Sequence, residues 1–194
     1  MTINLNQNAA FVPESRNQIE AVSSFRVTYI SLTKRNEGII HVTQDKIIFE
    51  GTKTIHVFDS QNQNNDNFKI IELPIQNVGY IFKRQSLFKD ISVELFTNSY
   101  QSYIFNFSNI YRRNDFLIAV KKCYDSNHIK HNVVGFLKYF RKATDDCVQL
   151  NLTSGELLIK SKIIQKWQQK KISTFTYLYC LNILSSRSLN DLNQ

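Results

Sequence analysis

Ile91-Ser-Val-Glu-Leu95, a polar step at Asn98-Ser99, then Ser102-Tyr-Ile-Phe-Asn-Phe107: the reading of this stretch decides the fold. Side chains alternate along a strand, so Ile91, Val93 and Leu95 share one face while Ser92 and Glu94 take the other. Asn98-Ser99 marks the turn into the next strand. The same β-branched and aromatic pattern runs upstream through Phe25–Leu32, Ile39–Val42, Lys46–Phe49, Thr54–Phe58, Phe68–Leu73 and Val78–Phe82. The polar turn Thr43–Asp45 makes a hairpin of Ile39–Val42 and Lys46–Phe49. The tract Asp59–Asp66 has nothing to bury and reads as an exposed loop. About seven short strands at this spacing predict a sandwich or barrel.

Downstream the period changes. Phe116, Leu117, Val120, Cys123 and Tyr124 lie on one helical face, with Arg112, Asp115 and Lys122 on the other. Ser108 or Asn109 can cap this helix by accepting from an unpaired backbone N–H. A β-barrel closed by one amphipathic helix is the plan of pleckstrin-homology (PH) domains. The overall expectation is an α+β chain: a PH-like barrel or sandwich capped by its C-terminal helix, a connector, then further helices.

Composition narrows the class. The chain has 194 residues, 42% of them apolar and 12% aromatic, which is enough to fill a core. Cys123, Cys147 and Cys180 are far apart and odd in number, so a reduced compartment is the simplest inference. No apolar run is long enough to cross a bilayer, and the polar N-terminus lacks a secretory pattern. The expected location is cytoplasmic, peripheral on endomembranes at most. The net charge is +8, and residues 110–171 hold 13 Lys/Arg against 5 Asp/Glu, while the remainder is balanced. A solvated face is the commonest meaning of such lysines.

The segment Ile81–Phe107, with its Lys83-Arg84 pair, the apolar turn at Leu87, the Glu94–Phe96 strand and the Phe-Asn-Phe107 ending, resembles the PH-like domain that precedes BEACH domains. The C-terminal run from Trp167 through Ile172-Ser173-Thr174-Phe175 resembles the opening of a BEACH domain. Tyr177, Leu178, Asn182, Arg187, Asn190 and Asp191 continue that match. Thr174 stands where the family has Asn, and Ser185-Ser186 where it has Ala-Gly. The absent glycine puts a tight turn there in question. The expected division is a tail at 1–20, a PH-like domain at 21–126, a connector at 127–160 and the first part of a BEACH domain at 161–194, cut short by truncation.

The resemblance implies a non-enzymatic scaffold in vesicle traffic and membrane organisation, as in the neurobeachin and lysosomal trafficking regulator families. It implies a joint PH–BEACH groove that recruits other proteins, with Lys83, Arg84, Val93, Glu94 and Phe96 as interface candidates. It also makes Trp167 a buried anchor. The helix after the Ser173 cap, Phe175–Leu184, is apolar all round, at about 11 residues too short to span a membrane, and suited to burial inside a larger domain. The remainder of a BEACH domain is its expected partner. Asn132–Phe140 is too apolar for a free linker and should pack on the barrel or form a short helix.

No catalytic centre is expected. The sequence has no Gly-x-Ser-x-Gly and no phosphate loop, and Asp145-Asp146 should raise the Cys147 thiol. His128 and His131 have metal-ligand spacing but no accompanying donors, and His41 and His56 read as strand side chains, so no metal and no cofactor are expected. The alternative is a phosphoinositide- or anionic-lipid-binding PH domain. Its contacts would be Lys34 and Arg35 in a first loop, Thr33–Gly38, where Glu37 offsets them. Nucleic acid is not an expected partner: the lysines around Trp167 share a single aromatic and no recognition motif.

Overall fold

A computed structural model describes residues 22–56, 69–127, 133, 135–188 and 190. Seven antiparallel strands follow in order: β1 (Ser23–Ile30), β2 (Lys34–Val42), β3 (Lys46–His56), β4 (Ile70–Pro74), β5 (Val78–Ser86), β6 (Lys89–Thr97) and β7 (Ser102–Phe107). They form one sheet in the spatial order β4-β3-β2-β1-β7-β6-β5. Two meanders, β1–β4 and β5–β7, are thus joined where β7 returns beside β1. Every strand sends side chains into one core, among them Phe25, Ile40, Ile47, Ile71, Ile81, Val93 and Phe105. A sheet whose two edges share one core must curl into a half-barrel.

The helix α1 (Ile110–Ser126) closes that barrel. Its first turn is capped by Asn109, whose side chain accepts from the Arg112 N–H at 3.0 Å. Phe116 enters edge-on to Phe25, with ring centroids 5.8 Å apart. Val120, Cys123 and Tyr124 bury the rest of the face that the sequence marks out.

Two expectations change. Thr54–His56 is not a separate strand, because β3 runs unbroken from Lys46 to His56, and Val57 and Phe58 lie outside the described residues. The first loop is shorter than Thr33–Gly38, because β2 begins at Lys34 and the turn is confined to Ser31–Thr33. Both follow from pairing: Lys34 faces His56 and Glu37 faces Lys53, so backbone bonds extend polar residues as strand. A bulge between Glu37 and Gly38 lets the pairing continue. The tract Asp59–Asp66, the pair His128 and His131, and Asp191 lie outside the described residues.

After α1 come four short helices: α2 (Leu137–Thr144), α3 (Ser154–Ser161), α4 (Ile163–Gln168) and α5 (Thr174–Leu184). A capping box starts α3, with the Thr153 side chain and Glu156 satisfying each other's backbone N–H. Ser173 caps α5 by accepting from Thr176 N–H at 3.1 Å. Between α2 and α3 the chain lies along β5, the free edge of the sheet. Ile81 N–H donates to Cys147 at 2.8 Å, and Gln149 N–H returns a bond to Ile81 at 2.9 Å. This parallel bridge covers part of an edge that would otherwise expose unpaired backbone groups.

Candidate protein-interaction cleft

The strand Val78–Phe82 is apolar on both faces, so both faces need cover. Val78 and Ile81 point into the barrel, whereas Tyr80 and Phe82 point outward. Phe96 of β6 joins them, edge-on to Phe82 at 5.6 Å. The helices cover this outer face. Phe136, Leu137 and Phe140 of the α2 region, Leu157 of α3, Ile163 of α4, and Cys180, Ile183 and Leu184 of α5 make a second core with it. Phe140 packs edge-on to Phe82 at 5.1 Å and is fully buried. A side chain of this size contributes about 1.5–3 kcal/mol when fully buried. Within the expected Asn132–Phe140 run, Val133, Phe136, Leu137 and Phe140 therefore owe their apolar character to the outer face of β5 and β6.

An ion pair sits within this second core. Arg84 Nε and Nη2 each lie 2.8 Å from Glu94 Oε2, and both side chains are 1% exposed. The guanidinium carbon stands 4.9 Å from the Phe82 ring centroid. Burial pushes the Arg84 pKa down and Glu94 opposes the shift. Arginine keeps its charge nonetheless, because its ordinary value is so high. The second carboxylate oxygen, Glu94 Oε1, accepts from Ser188 Oγ at 2.6 Å. Asn190 Nδ2 donates to Ser102 Oγ at 2.6 Å and to Ser102 O at 3.2 Å. The segment after α5 is thus bonded to β6 and β7 through polar groups that the sheet turns outward.

Beside these bonds a cleft of ≈ 270 Å³ opens between β6 and α5. It is lined by Glu94, Phe96, Ser102, Tyr179, Asn182 and Arg187, among others. Burial pushes the Tyr179 hydroxyl up, and the Glu94 charge adds to that. Arg187 Nη1 lies 3.4 Å from Asn182 Oδ1, and its backbone N–H donates to Asn182 O at 3.0 Å. The cleft can offer a partner an amide, an exposed guanidinium and aromatic walls, while the Glu94 carboxylate is buried and taken up by Arg84 and Ser188.

The structure divides the sequence-predicted residues. Glu94, Phe96, Asn182 and Arg187 line one cleft, with Arg84 and Asn190 bonded at its margin. Val93 does not belong with them: strand alternation turns it into the barrel core, fully buried. Lys83 likewise faces away from the cleft, and its Nζ donates to the Leu150 carbonyl beside the β5 edge. Trp167 is not a buried anchor. It is 37% exposed and stacks on Tyr177 at 4.5 Å and 8°. Phe175 and Leu178 lie on the outward side of α5, 76% and 52% exposed. Ser186 keeps the left-handed turn of the missing glycine, with φ of 65°.

Sequence reasoning missed Ser188, Ser102 and Tyr179. The signal for a covered face was present in the two-sided strand Val78–Phe82 and in the Phe136/Phe140 pair one helical turn apart. Lys34 and Arg35, consecutive on β2, point to opposite sides of the strand and do not converge on one headgroup. Cys147 and Cys180 are buried, and burial pushes each thiol up to about 12, so neither supplies a thiolate nucleophile at neutral pH. Burial, rather than the neighbouring aspartates, is the main cause at Cys147. Among the described residues no helix is long and apolar enough to cross a membrane.

The fold is a PH-type half-barrel whose outer β5–β6 face is covered by a following helical segment. Residues 27–121 match the family model of the PH domain associated with Beige/BEACH, and residues 165–194 match that of the Beige/BEACH domain. The chain belongs to the BEACH family. It is 32% identical over 121 residues to a neurobeachin homolog of Caenorhabditis elegans, covering 62% of this chain and 4% of that protein. It is 28% identical over 136 residues to Beige protein homolog 1 of Saccharomyces cerevisiae, covering 61% of this chain and 6% of that one. The chain thus spans a small part of the curated relatives it matches. Among solved structures it is similar to a pleckstrin homology domain in solution, with a TM-score of 0.42, 10% identity, and 57% and 91% of the two chains covered. It is also similar to the Slm1 PH domain crystallised with phosphoserine, with a TM-score of 0.40, 11% identity, and 54% and 96% covered.

Proposed function

We propose that this chain is a non-enzymatic scaffold unit that acts in vesicle traffic and membrane organisation through protein–protein contacts. The observation that carries the reading is the Arg84–Glu94–Ser188 array, which joins the barrel to the family's C-terminal segment inside a shared apolar core. A PH domain committed to such packing has its β5–β6 face taken up by protein. The cleft beside the array, rimmed by Arg187 and Asn182, is the surface offered to another protein. The exposed Phe175 and Leu178 side of α5 receives further BEACH-domain helices. The unit works in the cytoplasm, peripheral on endomembranes, and requires no cofactor.

The buried, protonated thiols fit a structural role for the cysteines. The lipid-capturing PH reading through Lys34 and Arg35 is weaker, given their opposite directions on β2. The test is a fluorescent fusion of the full chain, followed in cells, with Arg187→Glu as the exposed-cleft variant. Vesicle-associated signal and cross-linked partners should be present in the parent and reduced in Arg187→Glu at equal thermal stability. Identical partners and distribution in both would remove the cleft from the function.

A further inference from the structure

Several lysines of the helical part gather on one surface. Lys138 and Lys142 of α2, Lys162 at the α3–α4 turn, Lys166 of α4 and Lys171 beyond it come together there. Lys138 Nζ and Lys166 Nζ both approach the Tyr139 ring, 5.3 Å and 5.1 Å from its centroid. Lys142 follows Lys138 by one turn of α2, Lys166 N–H donates to the Lys162 carbonyl at 3.0 Å and Lys171 N–H to the Lys166 carbonyl at 2.8 Å, and burial, then the charges of Lys142, Lys162 and Lys171, push the Lys166 pKa down. Lys166 also donates to the Ser161 carbonyl, which holds it in place despite the repulsion. Glu72 pairs with Lys46, Glu94 with Arg84, Asp90 with Arg113, Asp115 with Arg112, and Asp125 and Asp146 with Lys121. Glu156 is engaged in its own capping box.

We propose that this lysine surface is a contact site for an anionic lipid bilayer, with Trp167 as its interfacial anchor. The chemistry discriminates among polyanions. The cluster uses lysines, which are point charges on flexible stems, and lacks the planar fork with which arginine reads single phosphates or carboxylates. Such charges suit a diffuse negative surface, where each contributes through the local potential. Trp167 follows Lys166 on the same helix, is 37% exposed, and has its Nε1–H bonded to Thr174 Oγ1 at 3.2 Å. An indole with a polar tip beside lysines is the side-chain pairing found at bilayer interfaces. One ring face is already taken by Tyr177, which leaves a poor platform for a nucleic-acid base. None of these five lysines lines the Glu94 cleft, so the proposal stands independently of the scaffold reading.

The protein carries its own reporter, because Trp167 is its single tryptophan. The full chain is titrated with phosphatidylcholine vesicles, with and without phosphatidylserine. Trp167 emission and co-sedimentation are followed at increasing salt. Phosphatidylserine vesicles should shift the emission to the blue and pellet the protein, salt should reverse both, and phosphatidylcholine alone should do neither. The combined variant Lys142→Gln, Lys162→Gln and Lys171→Gln should bind these vesicles about 100-fold more weakly. All three positions are exposed, and an unchanged thermal melt confirms the fold. The variant Lys34→Gln with Arg35→Gln should bind as the parent does. Three results overturn the proposal: no response to anionic vesicles, equal binding to neutral ones, or undiminished binding by the triple variant. A blue shift with polyuridylate or polyglutamate but not with vesicles would also overturn it and assign the surface to a nucleic acid or an acidic protein.

Discussion

Removing the carboxylate of Glu94 is the sharpest perturbation of the joint between barrel and helices. In Glu94→Ala, Arg84 would remain a cation with a side chain 1% exposed and no counter-charge at its Nε and Nη2. Breaking a buried pair from one side costs about 3–5 kcal/mol. The Ser188 hydroxyl would also lose its acceptor, but the segment carrying it can turn towards water, so most of the cost falls on Arg84. With a urea m-value of about 2 kcal/mol/M, a loss near 4 kcal/mol lowers the unfolding midpoint by about 2 M. Replacing both partners, Arg84→Met with Glu94→Leu, should recover most of that, because a well-packed apolar pair avoids the desolvation cost. The assay is equilibrium urea unfolding of the parent, the single variant and the double variant, followed by far-ultraviolet circular dichroism. A loss below about 1 kcal/mol in Glu94→Ala, the range of exposed pairs, would refute the reasoning. It would mean that the helices do not seal this face in solution.

Four further outcomes are expected. Gly79→Ala should destabilise by about 1–3 kcal/mol in the same unfolding assay, because the added Cβ would meet Leu137 Cδ1 at 2.6 Å and Phe96 O at 3.1 Å, pushing α2 from the sheet. Ser186→Gly should stabilise by about 1 kcal/mol, since Ser186 holds φ of 65°, which glycine adopts without strain; a lower melting temperature would contradict this. The β5–β6 hairpin turns on Leu87 and Phe88 at φ of 48° and 63°, with Phe88 99% exposed, so Leu87→Asn with Phe88→Gly should raise the melting temperature without loss of buried contacts. Cys147 and Cys180 are raised from 9.0 to about 12, so the folded state keeps protons that the unfolded state releases. Their contribution is present below pH 9 and lost as pH climbs from there towards 12, so unfolding free energy should decline over that window, and less in Cys180→Ala.

Much of the candidate site can be read in the chain, and the part that cannot has a definite cause. Alternation along Ile91–Leu95 places Glu94 outward, and the same rule excludes Val93 from any outer surface, although the family resemblance groups the two. Lys83 and Arg84 diverge for the same reason. Lys34 and Arg35 look like a loop because the run Thr33–Gly38 is polar, yet pairing with β3 makes it strand. Trp167 suggests an anchor by size and type, but its burial depends on neighbours far along the chain, and in this fold it stacks on Tyr177 at the surface.

The sequence by itself determined the curled sheet, the capping helix, the helix starts at Ser108–Asn109 and at Ser173, and the family. All of these rest on local periods and short spacings, which neighbouring residues impose on one another. Tertiary structure alone decided that Glu94 meets Ser188, that Ser102 meets Asn190, that the chain at Cys147–Gln149 lies along β5, and that Lys138 of α2 and Lys166 of α4 meet at the Tyr139 ring. Those meetings join residues that no pattern links, because they depend on which apolar faces must be hidden together before any polar contact can form.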